Sequence, residues 1–251
     1  MISLTTDFDD FYAGQMKGPI YIINPDAKIV DITHKIKRQS IYDAAFVISS
    51  SYPYFPKGTI HVVVVDPGVG SQRAPIALNC EGHTFVGPDN GLFSLLKGEV
   101  FEIDVNKLNQ KLLRYGIINP SYTFHGRDIF APAAALLDIG DTDILEKKDQ
   151  ITRLPFKKEI NKNIALLSIL YVDSFGNIIL NLKKEDANIK EIELSNTRIP
   201  VLTHYEEGKN LGLIALYSSS GYLEISKYLG SANSILNLKS GDTIKLILKN
   251  D

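Results

Sequence analysis

The apolar residues of this 251-residue chain follow a different pattern in each half. In the first half, short β-branched segments alternate with stretches whose apolar residues recur at helical spacing. We predict strands within residues 1–8, 19–25, 28–34, 59–66 and 100–105, and a hairpin over 75–91. We predict helices at 40–55, 93–98 and 128–140. This alternation indicates an α/β domain with a central, mostly parallel sheet flanked by helices.

The second half consists mainly of short apolar segments separated by turns, which is typical of antiparallel strands. Between the halves, from 141 to 163, the apolar periodicity fades and charged residues become more frequent. We therefore predict an N-terminal α/β domain over 1–150, a linker over 151–162, and a smaller antiparallel β domain over 163–251.

Composition excludes several classes of protein. Hydrophobic residues make up 44% of the chain and charged residues 22%, as in globular proteins. No apolar run reaches the roughly 18 residues that a membrane helix needs. The formal net charge of −2 argues against nucleic acid as the main partner, because phosphate binding usually requires a basic surface. The first residues do not resemble a signal peptide, so we expect a cytoplasmic location.

Cysteine and histidine usage argues against a metal site. Cys80 is the only cysteine, which excludes an intrachain disulfide and a multi-cysteine site. The five histidines, at 34, 61, 83, 125 and 204, lack the close pairing that is typical of zinc ligands. We therefore expect no bound metal.

The strongest chemical signal follows the most apolar strand. The stretch VVVVDPGVGSQR, residues 62–73, runs from four valines into Asp66, two glycines and Arg73. The valines predict a strand covered on both faces, and open α/β sheets bind ligands beyond the carboxyl ends of their strands. Asp66 is therefore a candidate site residue. The alternative is an ordinary turn whose aspartate caps local amides and pairs with Arg73.

A second candidate lies in TFHGRD, directly before the Ala-rich helix. His125 is followed by a glycine, so its ring is available to a ligand as an acid or base. For the two charged neighbours we favour structural roles, with Asp128 as the N-cap of the helix and Arg127 in an ion pair.

Two polar segments of the second half are weaker candidates. DSFGN, residues 173–177, is either a plain hairpin turn or an aromatic face and an amide that bind a purine base. SSSGY, residues 218–222, offers hydroxyl and amide groups that suit a carboxylate.

Six motifs, taken in order, resemble those of one family. They are TTDFDDFYAGQMKG, VVDPGVGSQR, VGPDNGL, TFHGRD, VDSFGN and SSSGYLEI. The chain resembles the S-adenosyl-L-methionine (SAM) hydroxide adenosyltransferases, or SAM hydrolases, which are similar to the SAM-dependent fluorinases and chlorinases. The resemblance implies that water or hydroxide attacks the ribose 5′ carbon of SAM and releases adenosine and L-methionine. SAM is then the substrate, and no cofactor is implied.

The resemblance also implies a catalytic trio of Asp66, Arg73 and His125. Asp66 can accept a proton, His125 can orient the water or relay its proton, and Arg73 balances the charge. The leaving group is a neutral thioether, which needs no acid. Catalysis then depends on placing a desolvated nucleophile in line with the C–S bond.

Three acids are implied as substrate-binding residues. Asp7 matches the acid that binds the ribose hydroxyls, and Asp10 and Asp173 match acids near the methionine ammonium. The chain departs from the family at TTDFDD, which lacks the glycine of T-D-F-G and is shorter. Asp9 and Asp10 therefore both stay open for the ammonium contact.

Four further residues complete the implied binding set. Phe175 and Asn177 match residues that stack on adenine and hydrogen-bond to it. Ser219 and Ser220 match the loop that holds the methionine carboxylate.

The family fold joins an N-terminal α/β domain to a C-terminal domain similar to a β-barrel. Its members resemble homotrimers whose sites lie between the N-terminal domain of one subunit and the C-terminal domain of the next. Such an arrangement would place candidate ligand loops in both halves of the chain.

Two alternatives remain. Halogenases of this type place a tyrosine where His125 stands, and the fluorinases a serine where Gly126 stands, so the sequence disfavours halogenation. A sensor that binds SAM or adenosine without turnover would use the same binding residues.

Overall fold

The computed structural model describes residues 1–118, 121, 123–187 and 189–249. The chain divides into two compact units, Met1–Leu154 and Pro155–Asp251, called here the N-terminal and C-terminal units. The segment 151–162, expected to be a linker, contributes to both. Thr152 donates its backbone N–H to Asp89 Oδ1 at 2.7 Å in the N-terminal unit, and Lys158–Asn161 is a strand of the C-terminal unit.

The N-terminal unit contains a seven-stranded mixed sheet. Its strands are β1 Ile2–Thr6, β2 Ile29–Thr33, β3 Ile60–Val64, β4 Pro75–Cys80, β5 His83–Pro88, β6 Glu99–Ile103 and β7 Leu145–Lys148. The order is β2-β1-β3-β5-β4-β6-β7, with parallel pairing as far as β5 and antiparallel pairing beyond it. The predicted hairpin, β4 with β5, is confirmed.

Helices cover both faces of this sheet. They are α1 Asp10–Ile23, α2 Ile41–Ser51, α3 Val105–Leu113 and α4 Ala131–Asp138. Strand β3 is buried on both sides, as its valines predict: Val62 and Val64 pack with α1 and α4, while Val63 packs with α2. The predicted α/β class is therefore confirmed. In the part of the chain that is described, no helix has the length and apolar character needed to cross a membrane.

Three local predictions are wrong. The segment 19–25 is mostly the C-terminal end of α1, whose buried residues Ala13, Met16, Ile20 and Ile23 follow helical spacing. Its β-branched residues and Pro19 disfavour a helix by local propensity, so the sequence pattern predicted a strand. The segment 93–98 forms turns. Asp128 does not cap a helix, because the helical backbone already begins with a π-helical turn, Gly126–Phe130, that continues into α4. Helix α3 was not predicted.

The C-terminal unit is a nearly closed antiparallel sheet. Its strands are β8 Lys158–Asn161, β9 Ile164–Val172, β10 Ile178–Lys183, β11 Glu191–Leu194, β12 Thr197–Pro200, β13 Ile214–Tyr217, β14 Tyr222–Ser226 and β15 Thr243–Lys249, with a short helix α5 Asn233–Leu236. The order is β12-β11-β15-β9-β10-β14-β13, and β8 pairs with β9. A bridge between Val201 and Ala215 brings the two ends together. The predicted barrel-like domain is confirmed.

Candidate active site

Asp66 lies where the chain leaves β3, at the carboxyl edge of the sheet. The loop after it turns sharply: Val69 donates its backbone N–H to Asp66 O at 3.2 Å, and Gly70 adopts a left-handed φ of 81°. The Asp66 side chain is only 5% exposed. A carboxylate this deeply buried needs a charged or hydrogen-bonding partner.

Arg73, at the end of the same loop, is that partner. Its Nε donates to both carboxylate oxygens of Asp66, at 3.1 and 2.9 Å, and its Nη2 donates to Oδ2. The guanidinium carbon also lies 5.2 Å from the ring centroid of Phe130 in the π-helical turn. The ion pair between Asp66 and Arg73, which we considered as an ordinary turn contact, is therefore present. This ion pair is buried, since the Arg73 side chain is only 8% exposed. Arg73 also contacts a third residue.

That third residue is His125, which directly precedes the π-helical turn. Arg73 Nη2 lies 2.6 Å from His125 Nδ1. A guanidinium can only donate, so Nδ1 must accept, and the proton of the neutral ring is then on Nε2. Burial lowers the pKa of His125 below its usual 6.5, and the positive charge of Arg73 lowers it further, against the opposing effects of Asp66 and Asp128. The Asp66–Arg73–His125 cluster therefore holds a neutral imidazole that presents an N–H donor.

Three aromatic side chains of the N-terminal unit pack together. Phe8, Tyr12 and Phe124 meet edge to face, with ring centroids 5.6 to 6.2 Å apart. The same rings border an open cavity of about 480 Å³, whose other lining residues include Gln15 and Arg127. Phe124 directly precedes His125 in the chain, but the residues that line this cavity do not include Asp66, Arg73 or His125.

Asp7 and its neighbours follow β1. Asp7 Oδ2 accepts the backbone N–H of Gln39 at 2.7 Å, which ties the loop after β1 to the loop after β2. Asp9 is the N-terminal cap residue of α1, and Asp10 lies in the first turn. Both side chains are exposed, so the structure leaves both available for an ammonium group.

The turn 173–177 joins β9 to β10 and is organised by Asp173. Its Oδ1 accepts the backbone N–H groups of Phe175 and Asn177, both at 2.9 Å, and its Oδ2 accepts the Asn177 side-chain amide at 3.0 Å. A carboxylate has about four acceptor positions, so Asp173 retains one. Phe175 is 75% exposed at the tip, while Asn177 is buried.

Ser219 and Ser220 lie in the turn between β13 and β14. Ser218 donates its backbone N–H to Tyr222 O at 2.8 Å, and the side chains of Ser218 and Ser220 are hydrogen-bonded at 2.8 Å. This turn and the turn 173–177 lie at opposite ends of the paired strands β10 and β14, in which Ile178 faces Ile225 and Lys183 faces Tyr222. The structure thus separates them by roughly 15 Å along the strands.

Comparison with known proteins identifies the family. Models described as the SAM hydroxide adenosyltransferase N-terminal and C-terminal domains match residues 2–145 and 167–245. The chain belongs to the SAM hydroxide adenosyltransferase family. The resemblance inferred from the six motifs is therefore confirmed.

Several relatives are similar to this chain over nearly their whole length. The (R)-S-adenosyl-L-methionine hydrolase of Methanocaldococcus jannaschii is 36% identical, with 98% of this chain and 95% of the relative covered. The protein of the same name from Thermus thermophilus is 32% identical, with 95% of each covered. A fluorinase from Actinoplanes sp. is more distant at 24% identity, covering 94% and 92%.

Solved structures show the same fold. An uncharacterized conserved protein from Thermotoga maritima matches with a TM-score of 0.83 and 31% identity, covering 98% of this chain and all of that one. A conserved hypothetical protein from Thermus thermophilus matches with a TM-score of 0.77 and 29% identity, covering 99% of each.

The sequence did not single out two residues that contact Arg73 or the backbone next to Asp66. Phe130, which lies against the Arg73 guanidinium, looks like an ordinary core residue of a helix. Asn90 lies in VGPDNGL, which we noted only as a motif, yet its side chain reaches the backbone next to Asp66. Among the described residues, no group of three or more His, Cys, Asp or Glu side chains is placed to hold a metal ion.

Proposed function

We propose that this protein hydrolyses SAM to adenosine and L-methionine by attack of water on the ribose 5′ carbon. The observation that carries the proposal is the contact among Asp66, Arg73 and His125, three residues from two distant segments. Its other support is similarity to relatives named SAM hydrolases. The more distant similarity to fluorinases, together with His125 and Gly126, disfavours halogenation.

The hydrogen-bonding pattern suggests how the three residues share the work. His125 donates from Nε2 to the water oxygen and so orients a lone pair toward the 5′ carbon. Asp66 accepts the proton that the water loses, and Arg73 holds both partners in place. The water oxygen forms the new C–O bond while the C–S electron pair leaves with methionine as a neutral thioether. The proton passes from Asp66 to solvent.

We propose that the binding residues lie along an extended SAM molecule. Phe175 stacks on adenine and Asn177 hydrogen-bonds to it, Asp7 binds the ribose hydroxyls, and Ser219 and Ser220 hold the methionine carboxylate. The separation of the turns 173–177 and 218–221 suits a ligand with adenine at one end and a carboxylate at the other.

The ammonium group has three candidate partners in this proposal. Asp9 and Asp10 are exposed at the start of α1, whereas Asp173 has one acceptor position outside its own turn. SAM titrations of Asp9→Asn, Asp10→Asn and Asp173→Asn will rank them. The contact is the one whose loss weakens SAM affinity by the largest factor beyond its effect on adenosine affinity, because Asp173 also holds the turn that carries Phe175 and Asn177.

The assembly that we propose is a cytoplasmic homotrimer with sites between subunits. Exposed apolar residues on α1, including Phe11 and Tyr21, are available for subunit contacts. Co-expression of His125→Ala and Ser219→Asp chains tests this arrangement. If each site takes one residue from each of two subunits, random trimers of two inactive chains recover about a quarter of wild-type activity. A site within one subunit gives no recovery.

The decisive experiment incubates the protein with SAM in oxygen-18 water and analyses the nucleoside by mass spectrometry. Adenosine with one heavy oxygen at the 5′ position, together with methionine, supports hydrolysis. If SAM binds but stays intact, the result supports the alternative that the protein is a sensor that binds SAM without turnover. A parallel reaction with chloride or fluoride, searched for a 5′-halogenated nucleoside, tests halogenation.

A further inference from the structure

Both ends of the loop that carries Asp66 and Arg73 are held by one neighbouring turn. Asn90 donates its side-chain amide to Val65 O, the carbonyl just before Asp66, at 2.9 Å. Asp89 donates its backbone N–H to Ala74 O, the carbonyl just after Arg73, also at 2.9 Å. Two adjacent residues thus fix where the loop leaves β3 and where it enters β4.

The pairing of β5 brings this turn to the loop. Strand β5 runs parallel to β3 on one side and antiparallel to β4 on the other, with Pro88 opposite Pro75. Gly87 permits the close approach, because a Cβ there would lie 2.5 Å from Val63 O. The turn after β5 therefore lies between the two ends of the loop.

The Asn90 side chain has a fixed orientation. Its Oδ1 accepts the backbone N–H of Leu92 at 3.2 Å, and Leu92 is buried. With the oxygen used in this way, the amide nitrogen must face Val65 O, where only a donor is tolerated. The adjacent Asp89 is fixed as well, since its Oδ1 accepts the Thr152 backbone N–H.

The loop itself contains few backbone hydrogen bonds that could hold its shape. Val69 donates to Asp66 O at 3.2 Å and Ser71 donates to Gly68 O at 3.0 Å. Each closes a short turn between residues three apart, and neither reaches across the loop. The direction in which the Asp66 side chain leaves the sheet therefore depends on two contacts, the Arg73 guanidinium that binds its carboxylate and the held carbonyl of the residue before it.

We propose that Asn90 is a positioning residue for catalysis, which sets the direction of Asp66 by holding the Val65 carbonyl. The proposal rests on the proposed SAM hydrolysis for its kinetic consequence. A misplacement of about 1 Å at a reacting centre can cost about 100-fold in rate. Substrate affinity comes from other residues, so the effect belongs in kcat and not in KM.

The kinetic test compares Asn90→Ala and Asn90→Asp with Asn79→Ala. Asn90→Asp keeps the size and the Oδ1 acceptor, but it replaces the donor with a second acceptor and adds a negative charge. Asn79 is an exposed asparagine of the same hairpin, where its Oδ1 accepts from Thr84. We expect kcat to fall at least about tenfold in both Asn90 variants, with KM within about threefold, and no change in Asn79→Ala.

A titration of His125 by NMR tests the same inference without catalysis. In Asn90→Ala we expect the Asp66 carboxylate to move, which alters its electrostatic effect on the ring and so changes the pKa of His125, while Asn79→Ala leaves that pKa unchanged. Folded Asn90 variants with wild-type kcat and an unaltered His125 titration would overturn the proposal. If the wild-type protein hydrolyses no SAM but the titration still shifts, the positioning role stands and the proposed function fails.

Discussion

At the scale of single residues, the tautomer of His125 is the most informative detail. Arg73 occupies Nδ1, so in the mechanism that we propose the ring donates a hydrogen bond to the nucleophile from Nε2. In the mechanism that we propose, the proton acceptor is then Asp66, which Arg73 holds through Nε. One arginine thus fixes the roles of both other members.

Replacing His125 by alanine should affect turnover far more than binding. We expect kcat to fall by roughly 100-fold or more, because an oriented water is lost, while the dissociation constant for SAM stays within a few-fold. Single-turnover kinetics and calorimetry measure the two effects. His204→Ala is the matched control, since that histidine is exposed in the C-terminal unit. Full activity in His125→Ala would remove the residue from the mechanism.

The pH dependence of kcat should report the same imidazole. Burial and Arg73 lower the pKa of His125 below 6.5, so the neutral ring persists at pH 6.5 and is lost only at lower pH. Activity that needs the neutral ring therefore declines on the acid side of 6.5. We expect this acid limb to disappear in His125→Gln. An acid limb of unchanged midpoint in that variant would assign it to another group.

At the scale of elements, turns carry the candidate chemistry and strands position it. The π-helical turn before α4 brings both His125, which precedes it, and Phe130 into contact with Arg73. In the C-terminal unit, the turn 173–177 depends on a glycine. Gly176 adopts a φ of 82°, and a Cβ there would lie 2.0 Å from Ser231 Oγ.

Gly176→Ala should therefore destabilise the C-terminal unit and weaken SAM binding. The left-handed backbone and the clash with Ser231 together suggest a loss of about 2–3 kcal/mol in the free energy of unfolding. Gly221→Ala is the control, because Gly221 has a similar φ of 78° with no atom within 4 Å of the added Cβ. It should cost only about 1 kcal/mol. If urea titrations give the same loss of unfolding free energy for both variants, the contact between the added Cβ and Ser231 does not destabilise the fold.

At the scale of the whole molecule, the N-terminal unit contains a buried pair of histidines outside the site. Ser3 Oγ lies 2.7 Å from His61 Nδ1, and His61 Nε2 lies 3.2 Å from His83 Nδ1. The His61 ring stacks on Phe85 with centroids 4.9 Å apart. Burial, and to a smaller extent His83, lowers the pKa of His61 to about 3.

This pair should make the fold sensitive to acid. Between pH 6.5 and about 3 the unfolded chain protonates His61 while the folded chain does not, so stability falls as the pH falls through this window. We expect the urea midpoint of the wild type to drop more steeply below pH 6.5 than that of His61→Gln. His204→Gln is the control for replacing an exposed histidine. Parallel curves for wild type and His61→Gln would contradict the assignment.

The pattern of the sequence determined most of the architecture. The valines of β3 predicted a strand buried on both faces, and the turn-rich second half predicted antiparallel strands. The failure at 19–25 has a clear cause: the second half of α1 contains Pro19 and β-branched residues, and only its packing through Met16 and Ile20 selects a helix. Local preference is weak, and tertiary burial overrides it.

For the site, the sequence by itself determined the residue types and the family, through six motifs in order. The tertiary structure decided which atoms meet. Arg73 and His125 are 52 residues apart, and Asn90 is 25 residues from Val65, so no local spacing predicts that these pairs contact. The hydrogen bond from Arg73 determines the tautomer of His125, and the hydrogen bond from Asn90 holds the carbonyl before Asp66. Both depend on the tertiary structure that brings these segments together.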